Sequence, residues 1–496
     1  MKRFLTLLLT ILLVLPTFSM LGCKDATKGD KVLRVCNCED YIDEDLLAEF
    51  TEETGIEVIY STYGTNENLY NELVINPNSY DLVVPSEYMI EKLAVEGRIQ
   101  KIDFTNPILE DYTNNLSPFI KDRLDNILLK DGKNQGEKLS EFMVGYMWGT
   151  MGWVYNRDHV SDEDVKNWYS PFENPSLKKK ITIKDSVRDS YIVGLAMVYE
   201  QELYDASNNQ TISQILNNVS PEAINKVGEK LNSLKPMLYG FEVDSGKNDI
   251  VLGRIDAYVA WSGDACYAID VASGEVEDDD GEIIEDKFLR DLSYSVPEEG
   301  SNIWFDGFVM PSGSTKHEYA YKFLEFMSRP ENVIRNIDYT GYTSMVATQE
   351  IYDEIVLGWF DESEDVDADN QEDYQIIDLS YFFGGNNLEY TVTVSNEGLG
   401  RLIAQYPTLD IVNRCAVMSY FDNDTLMKIN DMWESVKGET FPVWLIILIA
   451  VLVVLLAGFI VIYRNKDKIK WIKWPEGRTT RKVKNGYKII KIEKID

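Results

Sequence analysis

VLRVCN (Val32–Asn37), YIDEDLLAEFTEETG (Tyr41–Gly55), IEVIYSTY (Ile56–Tyr63), NENLYNELV (Asn66–Val74), YDLVVPS (Tyr80–Ser86) and EYMIEKLAVEG (Glu87–Gly97) follow one another directly. The first, third and fifth are short and rich in β-branched and aromatic residues, as strands are. The second, fourth and sixth place apolar residues at helical spacing, and the second and sixth close on glycine. Strand and helix in strict alternation predict a parallel sheet with helices packed over it. Ligands of such sheets bind beyond the carboxyl ends of the strands. Here those ends are Asn37–Tyr41, Ser61–Thr65 and Ser86–Tyr88.

Downstream the pattern loosens. Residues 108–140 read as a surface insertion. VGYMWGTMGWVYN (Val144–Asn156) is aromatic and glycine-rich, suiting strands that carry the chain from one lobe to another. Ile181–Ile183 reads as a strand leading into the helix of DSVRDSYIVGLAMVYE. IDAYVAWSGD (Ile255–Asp264) reads as a strand ending in a small loop, and NIWFDGFVMP (Asn302–Pro311) as another strand. EYAYKFLEFMSRPENV (Glu318–Val333) is an amphipathic helix pair. The run EVEDDDGEIIED (Glu275–Asp286) reads as a solvated hairpin and DESEDVDADNQED (Asp361–Asp373) as an acidic loop.

The ends concern compartment. MKRFLTLLLTILLVLPTFSMLGC (Met1–Cys23) has a basic head, an apolar middle and a small-residue finish, the pattern of an export signal. Residues 1–22 are thus expected to be removed, and Cys23, in a sequence resembling a lipobox, to be lipidated. VWLIILIAVLVVLLAGFIVIY (Val443–Tyr463) is 21 residues without a charge, long enough to cross a bilayer core of roughly 30 Å. The tail after it, 464–496, holds twelve Lys and Arg against four Asp and Glu, a net of +8. Basic flanks stay in the cytoplasm. The expected order is a signal peptide (1–22), an acidic external domain (23–440), a transmembrane helix (441–463) and a basic cytoplasmic tail (464–496). The whole chain carries −35, so the body before the tail is more acidic still.

Several chemistries are poorly served. Two histidines, His159 and His317, lie on separate elements without a Cys or Ser motif beside them, and no HExxH, GxSxG or P-loop occurs. Of five cysteines, Cys36 and Cys38 face the same way on one strand, too far apart to pair readily. A single bridge involving Cys266 or Cys415 stays open. No cofactor or metal is expected. What the strand ends offer is carboxylates beside aromatics: Asp40 with Tyr41, Trp261 with Asp264, Trp304 with Asp306, and nearby Asp185 and Asp189. Carboxylates bind ammonium groups by charge-assisted hydrogen bonds, and aromatic faces hold methylenes and add cation–π attraction.

The body resembles the extracellular spermidine/putrescine-binding proteins of bacterial ABC polyamine importers. The resemblance runs from about Leu33 to Gly438. It rests on NCEDYI, FTEETGIEVIYSTYGTNENLY, YDLVVPSEYMIEKL, GRIQKID, YMWGTMGWVYN, DSVRDS, VAWSGDACYA, WFDGFVMP and GYTS, in the family's order. It implies an α/β fold of the two-lobed type II periplasmic-binding-protein class, with the cleft between lobes and crossovers near 144–156 and 302–311. The transmembrane helix is an addition to that fold. The resemblance implies a non-enzymatic polyamine receptor that serves ABC permease and ATPase subunits on other chains, associates with the membrane and binds no nucleic acid. Carried over residue by residue, its ligand site is Asp40, Tyr41, Ser86, Tyr88, Asp189, Trp261, Asp264, Trp304, Asp306 and Tyr342. Cys38 stands where the family usually has Trp; spermidine-preferring members carry another acid near Ser186, where only the neighbouring Asp185 is available, and Asp264 resembles the putrescine-preferring arrangement. Alternatives are a same-fold receptor for another solute such as ferric ion (Tyr339 and Tyr342 permit the thought), a membrane-anchored glycosidase using two carboxylates, and a purely structural surface protein.

Overall fold

The computed structural model describes residues 31–206, 208–273, 290–367 and 369–438. The expected signal peptide, Cys23, the acidic run 275–286, the apolar stretch Val443–Tyr463 and the basic tail lie outside the described residues. Among the described residues no helix is long and apolar enough to cross a membrane.

Strand β1 (Val32–Cys38) pairs in parallel with β2 (Glu57–Tyr63) on one side and β3 (Leu82–Val83) on the other, giving the order β2-β1-β3. The central strand buries Leu33, Val35 and Cys36, as a strand covered on both faces must. Helices α1 (Asp45–Thr54), α2 (Asn66–Ile75) and α3 (Glu87–Val95) alternate with these strands. α1 buries Leu46, Leu47 and Phe50 and stops at Gly55, whose φ of 67° lets its amide reach the Thr51 carbonyl. The alternation in residues 32–97 is therefore realised element by element.

Strand β4 (Val144–Asn156) is 13 residues long and buried throughout. β5 (Ile181–Lys184) leads into α4 (Val187–Val198), followed by α5 (Pro221–Leu234), β6 (Leu238–Glu242), α6 (Gly246–Val251), β7 (Ala257–Trp261), α7 (Ser262–Ala272), β8 (Leu292–Ser295) and β9 (Ile303–Phe308). β5 runs parallel to β6 and β7, while β7 and β8 pair antiparallel with the second half of β4. The first half of β4 pairs with β9 from Val144 opposite Phe308 to Thr150 opposite Ile303. β9 in turn meets the first sheet through bridges from Asp306 to Ser86 and from Val309 to Val83. β4 and β9 thus connect the two lobes. α8 (His317–Met327) and α9 (Pro330–Thr340) return to the first lobe before β10 (Thr343–Ser344) pairs with β4 at Trp148 and Met147. A hairpin of β11 (Tyr374–Asp378) and β12 (Thr391–Ser395) and a helix, α10 (Asn423–Lys437), follow.

Two expectations need correction. Residues 108–140 are not a surface insertion: Leu109, Tyr112, Ile120, Leu124, Leu129 and Leu139 are all buried. Their short helical turns obscure any long periodicity. The WSGD segment does not end in a loop either, because α7 begins at Ser262 directly after β7. The four described cysteines, Cys36, Cys38, Cys266 and Cys415, are free thiols.

Candidate functional site

Asp306 is the centre of the first side of the cleft. β9 holds it opposite Ser86 at the start of α3, where the Gly307 amide also donates to the Pro85 carbonyl at 3.2 Å. The Tyr41 hydroxyl donates to Asp306 Oδ2 at 2.8 Å. Oδ1 is buried and has no hydrogen-bond partner among the described residues. Burial pushes the carboxyl pKa up to about 6; the Ser86 and Tyr41 hydroxyls pull it down, and the charge of Asp189 pushes it further up. Trp304, two residues earlier on the same strand, shares its face. Its ring lies against Tyr342 with centroids 5.6 Å apart, and its indole N–H is buried without a partner among the described residues. Gly149 of β4 makes room for it: a Cβ there would lie 2.6 Å from the Trp304 ring.

Tyr41 and Tyr342 meet edge to face at 4.9 Å. Tyr146 steadies the first of them by donating to the Tyr41 carbonyl at 2.6 Å, and Asn336 donates to the Tyr146 hydroxyl at 2.6 Å. The Tyr342 hydroxyl donates to Asp264 Oδ1 at 3.0 Å. Gly263 lets the Tyr342 ring lie on the turn into α7, where any Cβ would collide with it. Burial raises the pKa of both tyrosines well above the usual range, so both remain neutral donors at physiological pH. A continuous chain, Asp306–Tyr41–Tyr342–Asp264, therefore joins the two sides.

The second side is built at the carboxyl ends of β5 and β7. Asp189 lies in the first turn of α4, where the Ser186 hydroxyl accepts its amide at 3.4 Å. Burial raises its pKa, opposed by the Ser186 hydroxyl, by Lys184 and by the Trp261 indole. Asp264 Oδ2 accepts from Lys184 Nζ at 3.3 Å. That ammonium is itself buried. It lies 4.1 Å from the centroid of the Trp261 ring, 3.6 Å from Glu242 Oε1, and donates to the Val243 carbonyl at 2.8 Å.

Eight expected residues come together: Tyr41, Ser86, Asp189, Trp261, Asp264, Trp304, Asp306 and Tyr342. Tyr88 stands behind this group, donating to Glu67 Oε1 at 3.2 Å while the Arg188 guanidinium of the other lobe packs on its ring at 4.7 Å. Asp40 is exposed at the rim with a φ of 51°, and its charge helps raise the pKa of Lys247 on the other side. Lys184, Arg188, Glu67 and Glu87 were missed. Lys184 did leave a signal, since a lysine closes the short buried strand β5, Ile-Thr-Ile-Lys, at its ligand-facing end. Glu87 is buried under β9 and accepts the Phe305 amide at 2.9 Å, and burial pushes its pKa up to about 8. Cys38 occupies the wall beside Tyr63, close enough to Asp306 for that charge to add to the burial that pushes its thiol up to about 12.

The profile of the bacterial extracellular solute-binding protein family matches residues 45–356. The chain belongs to that family. A solute-binding protein is a receptor and not an enzyme, which sets aside the glycosidase. Among similar proteins, the spermidine/putrescine-binding periplasmic protein of Salmonella typhimurium is 28% identical over 324 residues, 65% of this chain and 80% of its own. A putrescine-binding periplasmic protein of Pseudomonas aeruginosa is 29% identical over 67% of this chain and 82% of its own. A spermidine/putrescine ABC transporter substrate-binding protein of Streptococcus pneumoniae has a solved structure with a TM-score of 0.53 and 26% identity, covering 82% of this solute-binding protein and 99% of that chain. The two-lobed periplasmic-binding-protein fold follows from these matches.

Proposed function

We propose that the chain captures polyamines outside the cell and delivers them to the permease of an ABC importer, whose permease and ATPase subunits are other chains. The observation that carries this reading is Asp306 Oδ1, a buried carboxylate oxygen with no partner among the described residues, walled by Tyr41, Tyr342 and Trp304. A buried unpaired carboxylate oxygen is costly unless a ligand satisfies it. An ammonium supplies the charge and the hydrogen bonds, and the aromatic rings accommodate the methylenes beside it. Asp189 offers a second carboxylate, without a salt bridge among the described residues. Ferric ion fits less well, because Tyr339 is 57% exposed and the Tyr342 hydroxyl is committed to Asp264.

The apolar stretch Val443–Tyr463 and the +8 tail support an anchor that leaves the receptor outside, and Met1–Cys23 supports export with lipidation. Tethering would raise the receptor's effective concentration at its permease. Calorimetric titration of the full-length chain, purified with detergent present, tests the ligand class. Putrescine or spermidine should bind and raise the melting temperature, whereas maltose and ferric citrate should do neither. Absence of heat and of a thermal shift with both polyamines would refute the reading.

A further inference from the structure

The second side of the cleft already contains an ammonium on its carboxylate, and that ammonium belongs to the protein. Lys184 Nζ donates to Asp264 Oδ2 at 3.3 Å and lies 4.1 Å from the centroid of the Trp261 ring. A carboxylate combined with an aromatic face is the pairing a polyamine ammonium would use. Glu242, 3.6 Å away, and the Val243 carbonyl fix the lysine from behind, and its side chain is only 1% exposed. A second cation stands near: Lys247, paired with Asp244 at 2.9 Å, feels the charge of Asp264. Asp264 thus has one ammonium paired to it, shared with Glu242, and a second cation near before any ligand arrives. Elsewhere in the cleft, Glu67 and Arg188 offset each other across Tyr88. Among the described residues, the buried ligand-site acids without a salt bridge are Asp306 and Asp189; Asp40, also without one, is exposed at the rim.

We propose that Lys184 is a specificity-determining residue that fills the Asp264 position and leaves room for two ligand ammoniums, so that the cleft selects a diamine over a triamine. This rests on the polyamine reading above and deepens it. Asp306 and Asp189 supply one carboxylate for each charge of a diamine such as putrescine. A third ammonium would have to approach Asp264 against Lys184 and Lys247, and like charges at close range repel.

The test is competitive titration of putrescine and spermidine on the full-length chain and on Lys184→Met, which keeps length and apolar stem but removes the charge. The wild-type protein should bind putrescine no more weakly than spermidine; tighter spermidine binding would overturn the proposal without touching the receptor reading. Lys184→Met should shift the affinity ratio toward spermidine on the order of tenfold, the worth of one charge-assisted bond. A folded variant with an unchanged ratio would also overturn it. Should the variant fail to fold, the wild-type ratio still decides. A wild-type protein that binds neither amine removes the polyamine reading and this inference together.

Discussion

The two sides of the cleft carry the same groups in opposite states. On the first side, among the described residues, Asp306 is held by hydroxyls alone, and one of its oxygens is buried without a partner. On the second side Asp264 is held by a hydroxyl from Tyr342 and by the ammonium of Lys184. Each acid has tyrosine and tryptophan beside it. The difference is the ammonium of Lys184, paired directly with Asp264, and it separates a carboxylate that awaits charge from one that already has a cation beside it. Acidic residues near a cleft are therefore a poor guide to its ligand until their internal partners are counted.

The strongest way to break the comparison is at Asp306. Asp306→Asn keeps the shape and removes the charge, so it should lose a charge-assisted bond worth about 1.5–3 kcal/mol. That corresponds to roughly a tenfold to hundredfold weaker polyamine affinity by calorimetry. Asp431→Asn removes an equal charge from an exposed position on α10 and should leave affinity unchanged. Equal losses at the two positions would mean that a diffuse acidic field, and not a local contact, attracts the ligand.

Why one side was legible in the sequence and the other only in part follows from the range of the interactions. Trp304 and Asp306 are two apart on a strand, so the pleat alone places them on one face. The β1–α3 alternation has uninterrupted periodicity, and the strand ends it defines include Tyr41 and Ser86. The state of Asp264 depends on Lys184, 80 residues earlier, and on Glu242 from a neighbouring strand. No local pattern reports such a pairing. Tyr342 was found only through resemblance, since its place rests on Gly263 of a distant turn. The helical turns of 107–125 were missed because each is too short to show a period, although the residues they bury are ordinary core leucines and aromatics.

Acid provides a slightly smaller perturbation. Burial first, then the charge of Asp189, holds the Asp306 pKa up to about 6, while the ligand amines stay protonated. Binding requires the carboxylate form. Affinity should therefore be nearly full at pH 7.5 and about tenfold weaker at pH 5, one unit below that pKa. The free protein should respond with the opposite sign. Its native state holds a proton on Asp306 between about pH 4 and 6 that the unfolded chain has released, so this group's contribution to stability falls as pH rises through that window. Glu299, pushed up to about 7 by burial, and Glu87, pushed up to about 8, extend the decline toward pH 8. Melting temperatures of the free and polyamine-bound protein across pH 5–8 should consequently diverge as pH rises. Parallel curves would show that no buried acid is linked to the ligand.

The smallest expected effect isolates the hydroxyl support of Asp306. Tyr41→Phe keeps the ring that contacts Tyr146 and Tyr342, at 5.4 and 4.9 Å, and removes only the donor to Oδ2. Two consequences oppose each other. The carboxylate loses a hydrogen bond that favours its charged form, so its pKa should rise above about 6. An arriving ammonium would meanwhile meet a carboxylate with more free capacity. At pH 8.5, where Asp306 remains ionised in either protein, the two nearly cancel and affinity should change by less than about threefold, less than one neutral hydrogen bond. At pH 6.5 the variant should bind clearly more weakly than wild type, because a larger fraction of its Asp306 is protonated. An affinity deficit that grows as pH falls thus identifies Tyr41 as the residue that keeps Asp306 ionised. A deficit of constant size at both pH values would instead assign the hydroxyl a direct contact with the ligand, and the bond to Oδ2 would then be a feature of the unliganded cleft alone.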